Sequence, residues 1–417
     1  MLNDPTRIFP VPGDERLILL DVLRGFALLG IFLMNIEGMV APFEAAVTGI
    51  DPVHAGVHYW ADAVVYVLVQ GKFYPLFSML FGMGFALMMA RAEKAGRPFT
   101  GLYLRRTVAL LVFGLLHIVF VWTGDVLNSY ALLAFAMLLF FRKTPVSRLP
   151  KWSIGLMLVP ALVLVLGGAA LSFAMGLPDV GAEMEASLGE SRSAVAAHME
   201  AQRLAFGSGT FLEATQQRLL ALPSIIGALL VFGWQILGLF LLGSWFVRSG
   251  ALSRPQDFPR LYARLRWVAL PIGLAITLAS VWLQPTLDLA TMDLRQGAAM
   301  ALHMVGGTLM CLGYLAWIVR GMASAKVALR LAWLAPAGRM ALTNYLMQSV
   351  VSTLVFYGYG LGYFGKLPRA GQVLYVLAFF IVQVLLSRAW MARFQFGPME
   401  WLWRALTYLR LPAMRRA

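Results

Sequence analysis

The chain has 417 residues, of which 60% are hydrophobic and 13% charged, and its mean hydropathy is +0.75. So few polar side chains cannot cover a water-soluble surface of this size, which excludes a soluble globular protein. The net charge of +14 is spread over alternate loops rather than gathered in one patch, so no nucleic-acid partner is expected.

Apolar runs of about 20 residues, long enough to cross a hydrocarbon core of roughly 30 Å as helices, recur along the whole chain. They predict about ten spans, over residues 17–36, 62–90, 104–122, 126–141, 152–175, 219–247, 265–283, 297–319, 340–357 and 372–390. The runs are continuously apolar, whereas barrel strands alternate polar and apolar residues. The expected fold is therefore an all-α, polytopic transmembrane bundle.

Lys and Arg favour every second loop. Arg7 and Arg16 precede the first run, Arg91, Lys94, Arg97, Arg105 and Arg106 follow the second, and Arg142, Lys143, Arg148 and Lys151 follow the fourth. The pattern continues after the sixth, eighth and tenth runs, which predicts both termini on the cytoplasmic side. The intervening loops carry Glu37, Glu44 and Asp51 in one case and five Glu between Ala182 and Glu213 in another. The first run contains Asp21 and Arg24 and is too long for a signal sequence, so it is read as a retained helix. The one cysteine, Cys311, excludes an intrachain disulfide.

The longest polar interruption divides the chain into an N-terminal half (1–176), an extracytoplasmic loop (177–218) and a C-terminal half (219–417) with an interfacial tail. Met184, Leu188, Val195 and Met199 suggest a short amphipathic helix within the loop. Trp401, Trp403 and Tyr408, interleaved with Arg404 and Arg410, suit a headgroup-level anchor.

Ionisable groups at membrane depth cost at least about 2.5–3.5 kcal/mol each, so they face the bundle interior and mark candidate sites. Asp21 and Arg24, three apart on one helix, can pair or clamp an anion. Asn35 and Glu37 close that helix; Asn35 can orient a ligand or cap the end, and Glu37 is expected to be solvated. His117, Asp125 and Asn128 flank a turn at Gly124, where a base and the carboxylate that orients it can meet. Lys72 sits in a break marked by Gly71 and Pro75 and can meet a phosphate. Arg339, Asn344 and Gln348 recur along the ninth run. His54 and His58 have no third ligand beside them, so no metal site is expected. No phosphate-binding P-loop, nucleophile elbow or zincin motif occurs.

Several strings together resemble the YeiB-like family of bacterial membrane proteins. They are Leu20–Ile31 (LDVLRGFALLGI) with Asn35, Gly71–Phe73 (GKF) with Leu76–Ser78 and Leu80–Gly82, and Gly114–His117 with Trp122 and Gly124–Leu127. Gly338–Ser349 (GRMALTNYLMQS) and Gly397–Arg404 (GPMEWLWR) complete the set. The first helix is also similar to that of the heparan-alpha-glucosaminide N-acetyltransferase group. That likeness implies a bundle that admits acyl-coenzyme A from the cytoplasm and acylates a hydroxyl or amine. It implies a catalytic histidine in the first outer loop, where His54 or His58 stands.

The resulting expectation is an acyltransferase of the bacterial inner membrane, with acyl-coenzyme A as co-substrate, no permanently bound cofactor, and an envelope component such as a sugar as acceptor. His58 or His117 would be the base, with Asp125 or Asn35 orienting it. Asp21, Arg24, Lys72, Asn128, Arg339, Asn344 and Gln348 would bind donor or substrate. Membrane lipids surround the bundle, and a homodimer is compatible with the sequence. Two other readings suit the same polar residues: a transporter of a small anionic or lipid-like solute, and a non-catalytic lipid-binding protein.

Overall fold

The computed structural model describes residues 18–416. Arg7, Arg16 and the first residue of the first predicted span, Leu17, lie outside them. The N-terminal half contains α1 (Ile18–Asn35), the short α2 (Glu37–Val40), α3 (Val57–Leu68), α4 (Phe73–Lys94), α5 (Phe99–Phe120), α6 (Leu127–Ala136) and α7 (Leu149–Met175). Two helices, α8 (Pro178–Gly207) and α9 (Phe211–Leu220), lead into α10 (Leu222–Arg248). The remainder contains α11 (Pro259–Arg264), α12 (Leu270–Leu283), α13 (Leu294–Met322), α14 (Ala325–Leu331), α15 (Ala335–Arg339), α16 (Ala341–Phe356), α17 (Arg369–Arg393) and α18 (Pro398–Tyr408).

Among the described residues, eight helical stretches are long and apolar enough to cross a membrane, and two shorter apolar helices, Leu127–Phe141 and Ala341–Phe356, join them. Each coincides with one of the ten predicted runs, and the chain is a multi-pass membrane protein. The second run is interrupted, because α3 and α4 are separated by a turn at Val69–Lys72 in which Gly71 adopts φ +78°. A side chain at that position would be strained, so glycine sets the break.

The most buried of the long apolar stretches contain α1, α4 and α13, and α10 packs closely on α4. Helices α4 and α10 touch backbone to backbone, since a Cβ at Gly82 would strike the Phe240 carbonyl and one at Gly243 the Met79 carbonyl. Such close approach of small residues is how apolar helices gain packing where water supplies no driving force. In contrast α7 and α12 bury little of their surface and form the lipid-facing periphery.

The loop at 177–218 differs from expectation. Instead of a short amphipathic segment it holds a helix of 30 residues, α8, followed by α9, whose start is fixed by the reciprocal bonds of Thr210 and Glu213. Polar residues lie all round α8, which is why a stripe read on one face underestimated its length.

Candidate functional site

Helix α5 carries His117 near its end, and the turn into α6 folds Asp125 back onto it. His117 Nδ1 lies 2.9 Å from Asp125 Oδ1, with both side chains buried. Asp125 Oδ2 accepts from the Asn128 backbone N–H at 3.1 Å, and Tyr345 of α16 donates its hydroxyl to Oδ1 at 3.3 Å. The Tyr345 oxygen in turn accepts from the Val126 N–H at 3.3 Å. Carboxylate, turn and tyrosine thus fix which imidazole nitrogen faces Asp125, leaving Nε2 as the free one. That Nε2 is buried without a hydrogen-bond partner.

The turn is held from outside by Arg218 of α9. Its guanidinium donates to the carbonyls of Val119 and Val121 at 3.0 and 2.9 Å, satisfying the C-terminal end of α5. A cation there also complements the helix dipole.

A cavity enclosing about 750 Å³, its open mouth included, lies between α1, α4, α5, α6, α16 and α18. Its walls are mainly apolar, with Phe77, Phe81, Leu110 and Leu342 among them, and Arg24, Arg106 and Tyr345 also line it. Arg106 packs over the Trp403 ring of α18 at 3.5 Å. Along α5, Arg106 precedes His117 by eleven residues, roughly 16 Å of helix. Cations at one level and the Tyr345–Asp125–His117 chain at another therefore bracket the cavity. His117 and Asp125 lie behind Tyr345 rather than in the wall.

The other expected site residues fall elsewhere. Asp21 is buried and holds Arg24 at 3.0 Å, which sets that arginine at the cavity edge. Asn35 ends α1, half-buried, and Asn128 turns its side-chain oxygen to the Ser129 N–H at 2.6 Å. Asn344 donates to the Ala337 carbonyl and Ser387, and Gln348 donates to Gln383 at 2.8 Å, so both join α16 to α17. Arg339 closes α15 and donates to the Gln395 carbonyl. His58 is half-buried on α3, where Nδ1 accepts from the Ala370 N–H at 3.4 Å. No hydrogen bond among the described residues joins it to His117. Lys72 is fully enclosed against Tyr66 and His303, outside the cavity wall. Among the described residues no group of three His, Cys, Asp or Glu is arranged to hold a metal.

Glu37 corrects the expectation of a solvated carboxylate. It is buried, and Arg369 of α17 places Nη2 3.0 Å from its Oε2 while Nε reaches Asp62 of α3 at 2.8 Å. Burial raises the Glu37 carboxyl to about 7; Arg369 opposes that, and the charges of Asp62 and Asp51 add to it. In the sequence Arg369 reads as an ordinary loop charge and Asp62 as the start of a span. Neither Tyr345 nor His303 is among the expected site residues: Tyr345 lies inside the string Gly338–Ser349 but carries no role from it, and His303 sits in an apolar helix with no motif beside it. An unusually polar pattern in α16 was the one available signal for Tyr345.

Comparison with known proteins gives consistent relatives. A family model described as "Protein of unknown function (DUF418)" matches residues 246–410. The chain is 32% identical over 417 residues to "Uncharacterized protein YxaH" of Bacillus subtilis, covering 96% of each. It is 30% identical over 407 residues to "Uncharacterized protein YeiB" of Escherichia coli, covering 94% of this chain and 96% of that protein. A Bacillus acidopullulyticus protein, "Uncharacterized 39.9 kDa protein in amylase 3'region", is 28% identical over 407 residues, with 96% of each covered.

Proposed function

The chain belongs to the YeiB-like family of bacterial membrane proteins, and on that premise we propose that it is an acyltransferase of the cytoplasmic membrane, moving an acyl group from a coenzyme A type thioester to an acceptor outside. The observation that carries this reading is the cavity bracketed by Arg24 and Arg106 at one level and by Tyr345, the partner of Asp125, at the other. Arginines suit the donor's phosphates, and apolar walls suit a slender arm threaded through the bundle. The alternating loop charge supports a cytoplasmic mouth, with both termini on that side.

In this reading the acceptor hydroxyl or amine approaches His117 Nε2, which takes its proton as the acceptor attacks the thioester carbon. The carbon–sulfur bond breaks, and His117 returns the proton to the departing thiolate. Asp125 stabilises the transient imidazolium and Tyr345 positions Asp125. Catalysis requires Tyr345 to swing aside or the thioester to pass its ring, since the tyrosine separates cavity and imidazole.

The test is thiol release from acyl-coenzyme A by the purified chain in nanodiscs, alongside donor-induced thermal stabilisation. Stabilisation with turnover abolished in His117→Gln supports the reading. Neither turnover nor stabilisation with donors of several chain lengths would sink it.

Transport of a small anionic solute is a second reading, favoured by the helix break at Val69–Lys72 and its enclosed lysine. Solute flux in liposomes that survives His117→Ala would favour it.

A further inference from the structure

The break between α3 and α4 contains ionisable groups that the His117 centre does not use. Lys72 is fully buried, and its Nζ has the Tyr66 carbonyl at 3.1 Å and His303 Nε2 at 3.3 Å. No ion pair joins it to a carboxylate among the described residues. The one carboxylate of α3, Asp62, lies a turn before Tyr66 and is engaged by Arg369. The facing groups on α13 are His303, Tyr314, whose hydroxyl donates to the Leu68 carbonyl, and the buried Cys311. Helix α12, which also packs near α3, carries no titratable residue. Tyr66 stacks on the His303 ring with centroids 4.3 Å apart. An enclosed ammonium with no counter-ion is an expensive arrangement, which a structure retains when the charge is removable.

His303 Nε2 has a second neighbour, the Gln70 carbonyl oxygen at 3.1 Å. A carbonyl only accepts, so this contact requires a hydrogen on Nε2. An ammonium only donates, so the Lys72 contact requires Nε2 to be bare. One nitrogen cannot satisfy both. His303 Nδ1 is buried without a hydrogen-bond partner, so nothing on the far side of the ring locks the tautomer. Gly71, at φ +78°, stands between Gln70 and Lys72, and a Cβ there would lie 3.1 Å from His303 Nε2.

We propose that Lys72 and His303 form an intramembrane proton-binding site with two states that differ by one proton. In the loaded state Lys72 is an ammonium that donates to the Tyr66 carbonyl and to bare Nε2, and the imidazole hydrogen sits on Nδ1. On unloading, the Lys72 ammonium passes a proton to Nε2 and Nδ1 releases its own to water, so that the new Nε2–H donates to Gln70 and the Lys72 amine remains beside it. The net charge of the break changes by one, and the imidazole is neutral in both states. The ligand is a proton, so the site would serve ion-coupled movement of the α3–α4 break, independently of acyl transfer.

The experiment follows the His303 tautomer by nitrogen NMR in the full chain, histidine-labelled and held in nanodiscs, as pH is raised. The signal is assigned by its disappearance in His303→Gln, whose amide can both donate and accept. The expected result is conversion from the Nδ1–H to the Nε2–H form in the wild type. Lys72→Met should show the Nε2–H form at every pH. Lys72→Arg, which keeps its charge, should hold the Nδ1–H form, and it keeps the test decisive if Lys72→Met does not fold. A single tautomer in the wild type at all pH values, or a conversion that persists unchanged in Lys72→Met or Lys72→Arg, overturns the proposal.

Discussion

Arg369 of α17 and Asp62 of α3 meet in an enclosed ion pair, Nε to Oδ1 2.8 Å, with each side chain 1% exposed. Asp62 also accepts from the Asp51 N–H at 2.9 Å, which ties the loop before α3 to the same point. Removing Asp62 leaves the buried Arg369 with Glu37 as its remaining carboxylate partner among the described residues, and breaking such an enclosed pair costs up to about 3–5 kcal/mol. Asp62→Ala is therefore expected to lower the thermal midpoint sharply. Asp62→Asn, which keeps the accepting oxygen, should lose less. Equal midpoints for wild type and Asp62→Ala would contradict this account.

Glu37 gives the fold a pH dependence of defined sign. Its carboxyl rises from 4.5 in the exposed state to about 7 in the fold, first through burial. Between those values the folded chain binds a proton that the unfolded chain has released, so stability falls as pH rises through this window. Below it the contribution is fully present. The whole effect is at most roughly 3 kcal/mol. Thermal melts of Glu37→Gln across the same range should be flatter than those of the wild type. A wild-type profile that rises with pH and is unchanged by the substitution would refute the assignment.

His117 and Asp125 are expected to act as a unit. If His117 is a general base, His117→Gln should lower thioester turnover by about 10²–10⁴-fold. Asp125→Asn should approach that loss because the tautomer is no longer fixed, and adding it to His117→Gln should cost little more. Tyr345→Phe removes both of the hydroxyl's bonds to the turn, the one it donates to Asp125 and the one it accepts from the Val126 N–H, but leaves the His117–Asp125 contact in place and should have a smaller effect. Additive losses in the double variant would show that the two residues do not cooperate.

Glu400 holds the start of α16. Its Oε1 accepts from the backbone N–H groups of Leu342 and Thr343 at 2.6 and 3.1 Å, and Oε2 accepts from the Thr343 hydroxyl at 2.6 Å. A carboxylate at a helix N-terminus satisfies otherwise orphaned donors and complements the dipole. Glu400→Ala should cost about 2 kcal/mol, with faster hydrogen exchange at the first turn of α16. Unchanged exchange there would rule out the capping role.

The spans were legible because hydrophobic length is a local property, and all ten runs became helices. So was the encounter of His117 with Asp125, since a tight turn makes it local too. Arg369 meeting Asp62 and Glu37, or His303 meeting Lys72, depends on how distant helices pack. No periodicity along one helix encodes those meetings. Asn344 and Gln348 illustrate the converse: polar residues in an apolar helix can be absorbed by a neighbour, here Ser387 and Gln383 of α17. Their spacing alone does not distinguish a ligand site from such a junction.

The cap on α16 also bears on how the molecule is made. Glu400 leaves the ribosome after α1 to α17, yet it secures the helix from which Tyr345 reaches Asp125, a residue synthesised far earlier. The His117 centre is accordingly complete only after α18 has been released and docked, so a chain stalled before α18 would carry all ten described spans and still lack a finished site.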